Sequence, residues 1–137
     1  MEEPKPFPKQ DRDEFLKKQK LLRLATTCPD GTPHVVPVWY EYANGKINIG
    51  TNTGTQKARN VKSCPRAGFC VDEGVDAPGV TAVAGSGSAN VILDSNVVRN
   101  IENSILSRYP MTNTSTGEIL DLTDCIIEIT PDKYYSW

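Results

Sequence analysis

The chain has 137 residues, a formal net charge of −2, 38% hydrophobic residues and 23% charged residues. This length predicts one domain with a core of its own, and the slightly negative charge argues against a general affinity for nucleic acid or an anionic membrane surface. No apolar run approaches the roughly 20 residues that a membrane-spanning helix needs, so we expect no membrane partner.

The first ten residues carry three prolines and little apolar content. This composition predicts a flexible N-terminal tail, residues 1–10, ahead of a single domain, residues 11–137. The opening sequence Met1-Glu2-Glu3-Pro4 has neither the basic nor the apolar region of a secretory signal. We therefore expect a cytoplasmic location.

The cysteines form no Cys-x-x-Cys pair, and the chain contains a single histidine. A zinc cage is therefore not expected, and we predict no metal site. Since nothing marks the chain for secretion, the thiols are expected to be reduced and to act as small packing residues. The four cysteines are Cys28, Cys64, Cys70 and Cys125.

The first half of the chain predicts a short helix followed by a three-stranded meander. The helical pattern begins at Asp11 or Asp13, either of which can cap it. The apolar period then changes to two, and the turns carry Gly31 and the Asn44-Gly45 pair, which is a strong hairpin signal. The predicted strands are residues 22–27, 35–42 and 46–51.

The second half predicts two further helices and three strands. One helix runs from about Thr55 to Lys62 and is stopped by Pro65. The other is capped by Asp94 or Ser95 and carries apolar residues at spacings of three and four. Loops are expected at residues 74–79 and 112–118. The strands are residues 66–72, 80–93 and 122–130, and residues 134–137 can add a short final strand.

Six short strands with hairpin connections and peripheral helices predict a mainly β protein, a six-stranded antiparallel barrel. Strand spacing alone does not separate a barrel from a sandwich, but a helix inserted after a three-stranded meander favours a barrel that opens where this helix leaves it. Gly85-Ser86-Gly87-Ser88 lies inside the longest strand. Glycines there indicate a close backbone approach, either at a barrel corner or where two subunits cross.

The segment from Thr51 to Lys57 carries the strongest indication of function. It passes from a strand into the first turn of a helix and gathers hydroxyls, amides and one lysine. Backbone N–H groups at a helix N-terminus, small hydroxyl donors and a mobile cation suit a phosphate monoester. The same residues would also form a solvated turn with a capping threonine, so the pattern alone leaves both interpretations open.

Several fragments in order resemble one known family. They are Leu24-Ala25-Thr26-Thr27, residues 30–40, Ile49-Gly50-Thr51-Asn52, Lys57 and Pro65-Arg66-Ala67. At these spacings the chain resembles the pyridoxamine phosphate oxidase-like superfamily over roughly residues 13–137. The resemblance implies a six-stranded split barrel, a homodimer, and FMN bound in two equivalent clefts at the subunit interface.

The resemblance also implies which residues contact the phosphate and ribityl chain of FMN. Gln56 stands where the family often has arginine, so we expect weaker flavin binding or compensation by Arg59. The implied contacts are Thr51 and Asn52 beside the ribityl chain, and Thr55, Gln56 and Lys57 at the phosphate.

Further contacts are implied around the flavin ring. The backbone of Val36, Pro37 and Val38 would meet its pyrimidine edge, and Trp137 would pack over it from the partner subunit. His34 stands where many members place an arginine that reaches the phosphate. Pro37 cannot donate to a neighbouring strand, which is consistent with an opening in the sheet or with a simple barrel seam.

The function implied by the resemblance is that of a flavin-dependent oxidoreductase acting on a small molecule, with the flavin supplying the chemistry and no side chain named as acid or base. No histidine follows His34, whereas the true oxidase uses histidine and basic residues near its C-terminus, so that reaction is not expected. One alternative is a deazaflavin-dependent reductase, whose longer acidic cofactor would need extra basic residues beyond the cleft, and Lys57, Arg59 and Lys62 could serve. Another is a non-enzymatic flavin- or heme-binding protein, with His34 as the imidazole.

Overall fold

The computed structural model describes residues 6–74, 79–110 and 115–137. Within these ranges the chain forms four helices and seven strands. The predicted loops at residues 74–79 and 112–118 fall partly outside the described residues, as does the start of the predicted N-terminal tail. The elements are α1 (Lys9–Lys18), β1 (Leu22–Thr27), β2 (Pro33–Val38), β3 (Glu41–Ala43), β4 (Lys46–Thr51), α2 (Gln56–Ser63), β5 (Arg66–Glu73), β6 (Thr81–Ile92), α3 (Ser95–Leu106), α4 (Thr116–Leu122) and β7 (Cys125–Ser136).

All seven strands belong to one antiparallel sheet with the order β2-β1-β5-β6-β7-β4-β3. Strands β2 and β3 are therefore at opposite edges, although only Trp39 and Tyr40 separate them in the chain. A link of two residues spans only a few ångströms, so the sheet must curl until its two edges approach. The prediction of a mainly β fold with peripheral helices is confirmed, and the curled sheet is consistent with a split barrel.

The predicted number of six strands is wrong. The strand expected at residues 35–42 is interrupted at Trp39 and becomes β2 and β3, which pair with different neighbours. The β3–β4 hairpin itself forms as predicted, because Asn44 and Gly45 adopt φ values of 55° and 75°. Two consecutive positive φ values are those of a type I′ turn, which fits the twist of an antiparallel pair.

The residues that directly follow helix α3 hold this crossover between the two edges. The Tyr109 hydroxyl accepts a hydrogen bond from the Tyr40 amide at 2.9 Å and donates to the Lys20 carbonyl at 2.8 Å. Arg108 donates to the carbonyl of Tyr40 and, at 2.9 Å, to that of Lys17. Backbone groups that leave the sheet at the crossover are thus paired by side chains, as buried polar groups require.

One apolar core fills the concave side of the sheet. Alternate residues of the strands point inward and are nearly inaccessible to solvent, which is the pattern that a sheet with one buried face must have. Phe15 of α1 packs against this core, together with Phe7, whose ring meets that of Phe15 edge-on at 5.8 Å. The buried strand residues include Leu22, Leu24, Ile47, Ile49, Phe69, Val71, Val83, Ile127 and Ile129.

Strand β7 is longer than predicted and runs without interruption through residues expected to form two strands. Its register with β6 shifts between Ser86 and Gly87, which leaves Asp132 as the extra residue of a β-bulge. A Cβ atom on Gly87 would lie 2.1 Å from the Thr130 carbonyl oxygen. The close approach that the glycines indicated is therefore an approach of β7 of the same chain.

Helix α4 replaces the end of the predicted polar loop and the start of the last predicted strand. Ser115 caps it by accepting a hydrogen bond from the Glu118 amide at 3.2 Å. The sequence Ser115-Thr116-Gly117-Glu118 has the spacing of a capping box, a helix-start signal that the period-based analysis did not use. Helix α3 begins where predicted, with the Asp94 carboxylate accepting from the amides of Asn96 and Val97 at 3.0 and 3.1 Å.

All four cysteines are free thiols, three of them half-buried and Cys125 buried. Among the described residues, no three His, Cys, Asp or Glu side chains converge on a point where a metal ion would fit. Of the helices that the structure describes, none combines the length and the apolar character needed to cross a bilayer.

Candidate functional site

A cleft of about 360 Å³ lies where the two edges of the curled sheet approach each other. Its walls come from β2 at one edge, from β4 next to the other edge, and from helices α2, α3 and α4. Its size is within the range of small-molecule sites. The lining residues are Leu21, Pro37, Val38, Trp39, Gly50, Lys57, Glu102, Leu106, Ile119 and Thr123.

Lys57 is the cation of this cleft. It lies in the first turn of α2, is half-buried, and forms no ion pair with any residue of the described ranges. Burial lowers the pKa of Lys57. The neighbouring Cys125 thiol offers no compensating charge, because burial raises its pKa to about 11. A partly desolvated ammonium without a counter-ion favours an anionic ligand.

The turn that precedes α2 is tightly hydrogen-bonded. The Thr51 and Thr55 hydroxyls lie 3.1 Å apart, and the Thr55 amide and hydroxyl both donate to the Asn52 carbonyl, at 3.1 and 2.8 Å. Thr55 also caps the helix, since its hydroxyl accepts from the Ala58 amide. In the part of the chain described, the first-turn amides of Gln56 and Lys57 find no acceptor, which leaves them available to an anion.

Gln56 and His34 lie away from the cleft, around a polar cluster on the inner side of α2. The Gln56 amide donates to the Asn60 side-chain oxygen at 2.7 Å, and Asn60 in turn donates to the Thr26 hydroxyl at 3.1 Å. His34 is the cross-strand neighbour of Thr26, and its Nδ1 is buried without a partner among the described residues. Arg59 donates to Gln56 at 2.8 Å.

The remaining predicted contacts are distributed over the fold. Pro37 and Val38 line the cleft, whereas the half-buried Val36 packs against the core. Trp137 pairs with Ala82 through two backbone hydrogen bonds of 3.0 and 3.1 Å at the start of β6, and it does not line the cleft of its own protomer. A contact from Trp137 to a ligand in a partner's cleft stays a prediction.

Trp39 adds an aromatic wall that the sequence analysis treated only as part of a strand. Its indole stacks on the Tyr109 ring, with centroids 4.3 Å apart and planes inclined by 6°. One face of the indole is therefore covered by protein, and 40% of the residue remains exposed. An indole fixed in this way offers a flat apolar surface at the mouth of the cleft.

Glu102 is the carboxyl group of the cleft, and the sequence analysis did not single it out. It is 4% exposed and extends from α3 over Gly50 of β4. The signal was present in the sequence, since Glu102 falls four residues after Val98 and three before Ile105, on the apolar face of the helix. A carboxyl at such a position is buried by the same packing that buries its apolar neighbours.

A second groove, of about 410 Å³, lies between α2 and β6. Arg59 and Lys62 line it together with apolar residues of both elements, among them Val61 and Val91. The basic residues of α2 are thus divided, with Lys57 on the cleft and the other two on this groove.

The chain matches the family model described as pyridoxamine 5'-phosphate oxidase over residues 9–137. No curated protein matches it. Among solved structures, a conserved hypothetical protein from Mycobacterium tuberculosis is 23% identical with a TM-score of 0.85, over 100% of this chain and 89% of that protein. A FAD-binding protein from Mesorhizobium loti is 20% identical with a TM-score of 0.72, over 95% and 94% of the two chains. An F420 reductase is 22% identical with a TM-score of 0.73, over 90% and 94%. At these identities, what the structures share with this chain is the fold.

Proposed function

Because the chain belongs to the pyridoxamine 5'-phosphate oxidase family, we propose that it binds FMN in the cleft and is an oxidoreductase for a small organic molecule. The family membership confirms the resemblance found in the sequence. The observation that carries the proposal is the half-buried Lys57 in the first turn of α2, which has no ion-pair partner among the described residues and lies on the wall of an otherwise mostly apolar cleft.

The residues at this end of the cleft fit a phosphate monoester. Lys57 supplies a cation, and the first turn of α2 supplies amides aligned with the positive end of the helix dipole. The Thr51 and Thr55 hydroxyls lie in the turn before this helix, where Thr55 donates to the Asn52 carbonyl. Among the described residues that line the cleft, Lys57 is the one cation, since Gln56 points toward Asn60. We therefore expect moderate affinity for the phosphate.

The other walls fit a flat ring. Pro37 and Val38 belong to β2, whose outer edge is unpaired in the described sheet, so backbone groups there are free to meet polar atoms of a ligand. Trp39 and Leu106 would shield such a ring from water. A bound flavin would supply electron or hydride transfer, and the protein would orient it and control its surroundings.

The proposal includes a homodimer, formed with a second copy of the chain. Val35, Ala25 and Gly68 are cross-strand neighbours and so lie on one face of the sheet, together with Ala84 and Tyr135 of β6 and β7. Small, half-buried residues form the middle of this face, and the exposed side chains of Val35 (61%) and Tyr135 (56%) flank it. The small and apolar residues of this face suit a self-complementary dimer contact, as the family resemblance implies.

Replacing Ala25 by arginine is expected to convert the dimer into a monomer, because the long charged side chain would project from the middle of this face. Sedimentation equilibrium measures the change. Asn103→Arg, an exposed position on α3, is the matched control and should leave the dimer intact. A wild-type protein that is monomeric at micromolar concentration would contradict the dimer proposal.

The positions of the basic residues of α2 favour FMN over a deazaflavin as the proposed cofactor. A longer acidic tail would need a continuous row of cations, but Arg59 and Lys62 line the groove between α2 and β6, on the other side of the helix from the cleft. A tail that starts at Lys57 would have to cross α2 to reach them.

Absorption spectroscopy of the purified protein tests the proposal. After removal of endogenous ligands, adding FMN is expected to give a saturable change in the flavin band and quenching of flavin fluorescence. Parallel titrations with a deazaflavin and with hemin serve as controls. Tighter binding of the deazaflavin would favour the reductase alternative, and a Soret band with hemin in place of flavin binding would favour the heme alternative.

A further inference from the structure

The carboxyl group of Glu102 lies in a space that the glycine at position 50 leaves open. A Cβ atom on Gly50 would lie 1.8 Å from Glu102 Oε2 and 2.4 Å from Cδ, so the absence of a side chain at Gly50 provides the space for the carboxyl. Glycine weakens the interior of a strand, and it is usually found there where another group must approach closely. Gly50 lies in β4, between residues that pair with β7.

The surroundings of this carboxyl favour its neutral form. Burial raises the pKa of Glu102, and the neighbouring Thr123 offsets this only in part. The Thr123 hydroxyl also donates to the Ile119 carbonyl at 2.8 Å. Burial is the larger of the two effects on Glu102, so –COOH is favoured relative to –COO⁻.

The charged groups that face Glu102 come from helices α2 and α3 and from the segment between α4 and β7. Lys57 of α2 lines the same cleft, while Arg99 of α3 and Asp124 line an adjoining cavity that Glu102 also borders. These two carry opposite charges, and the Cys125 thiol is neutral. Because Lys57 and Glu102 line the same cleft, an anionic ligand bound to Lys57 would place a negative charge near Glu102 and favour the neutral form of its carboxyl.

We propose that Glu102 is the proton-exchanging residue of the cleft: its carboxyl takes up one proton from solvent when an anionic flavin phosphate binds beside Lys57. The inference rests on the proposed function. In the step itself, an ionised carboxylate, one solvent proton and the ligand give the neutral carboxylic acid and the bound ligand. No bond in the ligand changes, and no electron is transferred.

The sign of the pH dependence follows from the two charge states. Below its pKa, Glu102 is neutral and does not oppose an anion. Above it, the carboxylate repels the flavin phosphate, so the affinity for FMN should fall as the pH rises through this pKa. The second ionisation of the phosphate, with a pKa of about 6, has the opposite effect and is common to every variant.

The experiment compares FMN affinity from pH 5 to 9 for wild type, Glu102→Gln and the control Glu118→Gln, an exposed carboxyl of α4. Glu102→Gln keeps the shape but cannot ionise, so at high pH it should bind FMN about three- to tenfold more tightly than wild type, since one pKa unit is tenfold. At low pH the two should be equal, and Glu118→Gln should follow wild type throughout. Equal profiles for wild type and Glu102→Gln would overturn the inference while leaving FMN binding intact. No binding by wild type at any pH would overturn the proposed function, and this inference with it.

A second measurement does not depend on a variant. In ¹³C-labelled wild-type protein, the Glu102 carboxyl resonance should titrate at higher pH with saturating FMN than without it, because a ligand that favours the protonated form must raise the pKa of that group. A pKa unchanged or lowered by FMN would overturn the inference. Thermal unfolding checks the variant: Glu102→Gln should be at least as stable as wild type at neutral pH, where burial of an ionisable carboxyl is unfavourable.

Discussion

Replacing Lys57 by alanine is expected to weaken FMN binding by about 1.5–3 kcal/mol, the range of a hydrogen bond to a charged group, which corresponds to roughly 10- to 150-fold in dissociation constant. The reason is the unpaired state of this ammonium: within the described ranges it has no carboxylate to neutralise it. Its interaction with a phosphate would therefore replace no protein contact, and the full loss should appear as affinity.

Riboflavin, which lacks the phosphate, separates this effect from a general disturbance of the cleft. Wild type should bind riboflavin more weakly than FMN, and Lys57→Ala should bind the two with similar affinity. Lys62→Ala is the matched control, because Lys62 lies on the same helix but borders the other groove. A loss of FMN affinity in Lys62→Ala that equals the loss in Lys57→Ala would mean that the phosphate lies in that groove.

Local signals in the sequence predicted much of the fold. Asn44-Gly45 fixes the β3–β4 turn because Asn and Gly adopt the required positive φ values with little energetic cost. Asp94 fixes the start of α3 because its carboxylate satisfies two orphan amides. Each of these devices acts within four residues, so a pattern in the sequence is sufficient to find it.

The break between β2 and β3 had no such signal. Residues 35–42 form an almost continuous apolar run that is typical of one buried strand. The interruption at Trp39 arises because the sheet curls and the hydroxyl of Tyr109, 69 residues further along the chain, accepts a hydrogen bond from the Tyr40 amide. A contact of that separation leaves no periodic trace near position 40. The same reason explains why the pairing of β4 with β7 could not be derived from spacing.

The candidate site shows the same division between local and distant causes. Lys57 and the capping Thr55 follow from the strand-to-helix pattern, and Pro37 and Val38 join Lys57 in one cleft. The side chain of Gln56 points toward Asn60, one helical turn further on, because its amide donates a hydrogen bond to the Asn60 side-chain oxygen. Side-chain choices of this kind are decided by packing against β1, which the local sequence does not encode.

Replacing Gly87 by alanine is expected to destabilise the protein by about 3 kcal/mol, the upper part of the range for overpacking, and to lower the melting temperature by roughly 10 °C. The new Cβ atom would lie 2.1 Å from the Thr130 carbonyl oxygen and 2.7 Å from the Pro131 Cα atom. Both are backbone atoms in the middle of a sheet, so they can move only if β7 moves. Thermal and urea unfolding measure the loss.

Gly68→Ala on β5 is the control that isolates this cause. It makes the same substitution in the same sheet, but its Cβ atom would lie 3.6 Å from the Gly85 carbonyl oxygen and 3.7 Å from the Ala25 Cβ atom, which is ordinary van der Waals contact. We expect it to change stability by less than about 1 kcal/mol. Equal losses of stability in the two variants would show that replacing any strand glycine is unfavourable, and that the close approach of β7 is not the cause. If only Gly87→Ala is destabilised, the close approach of β7 to β6 beside the bulge at Asp132 requires a glycine at position 87.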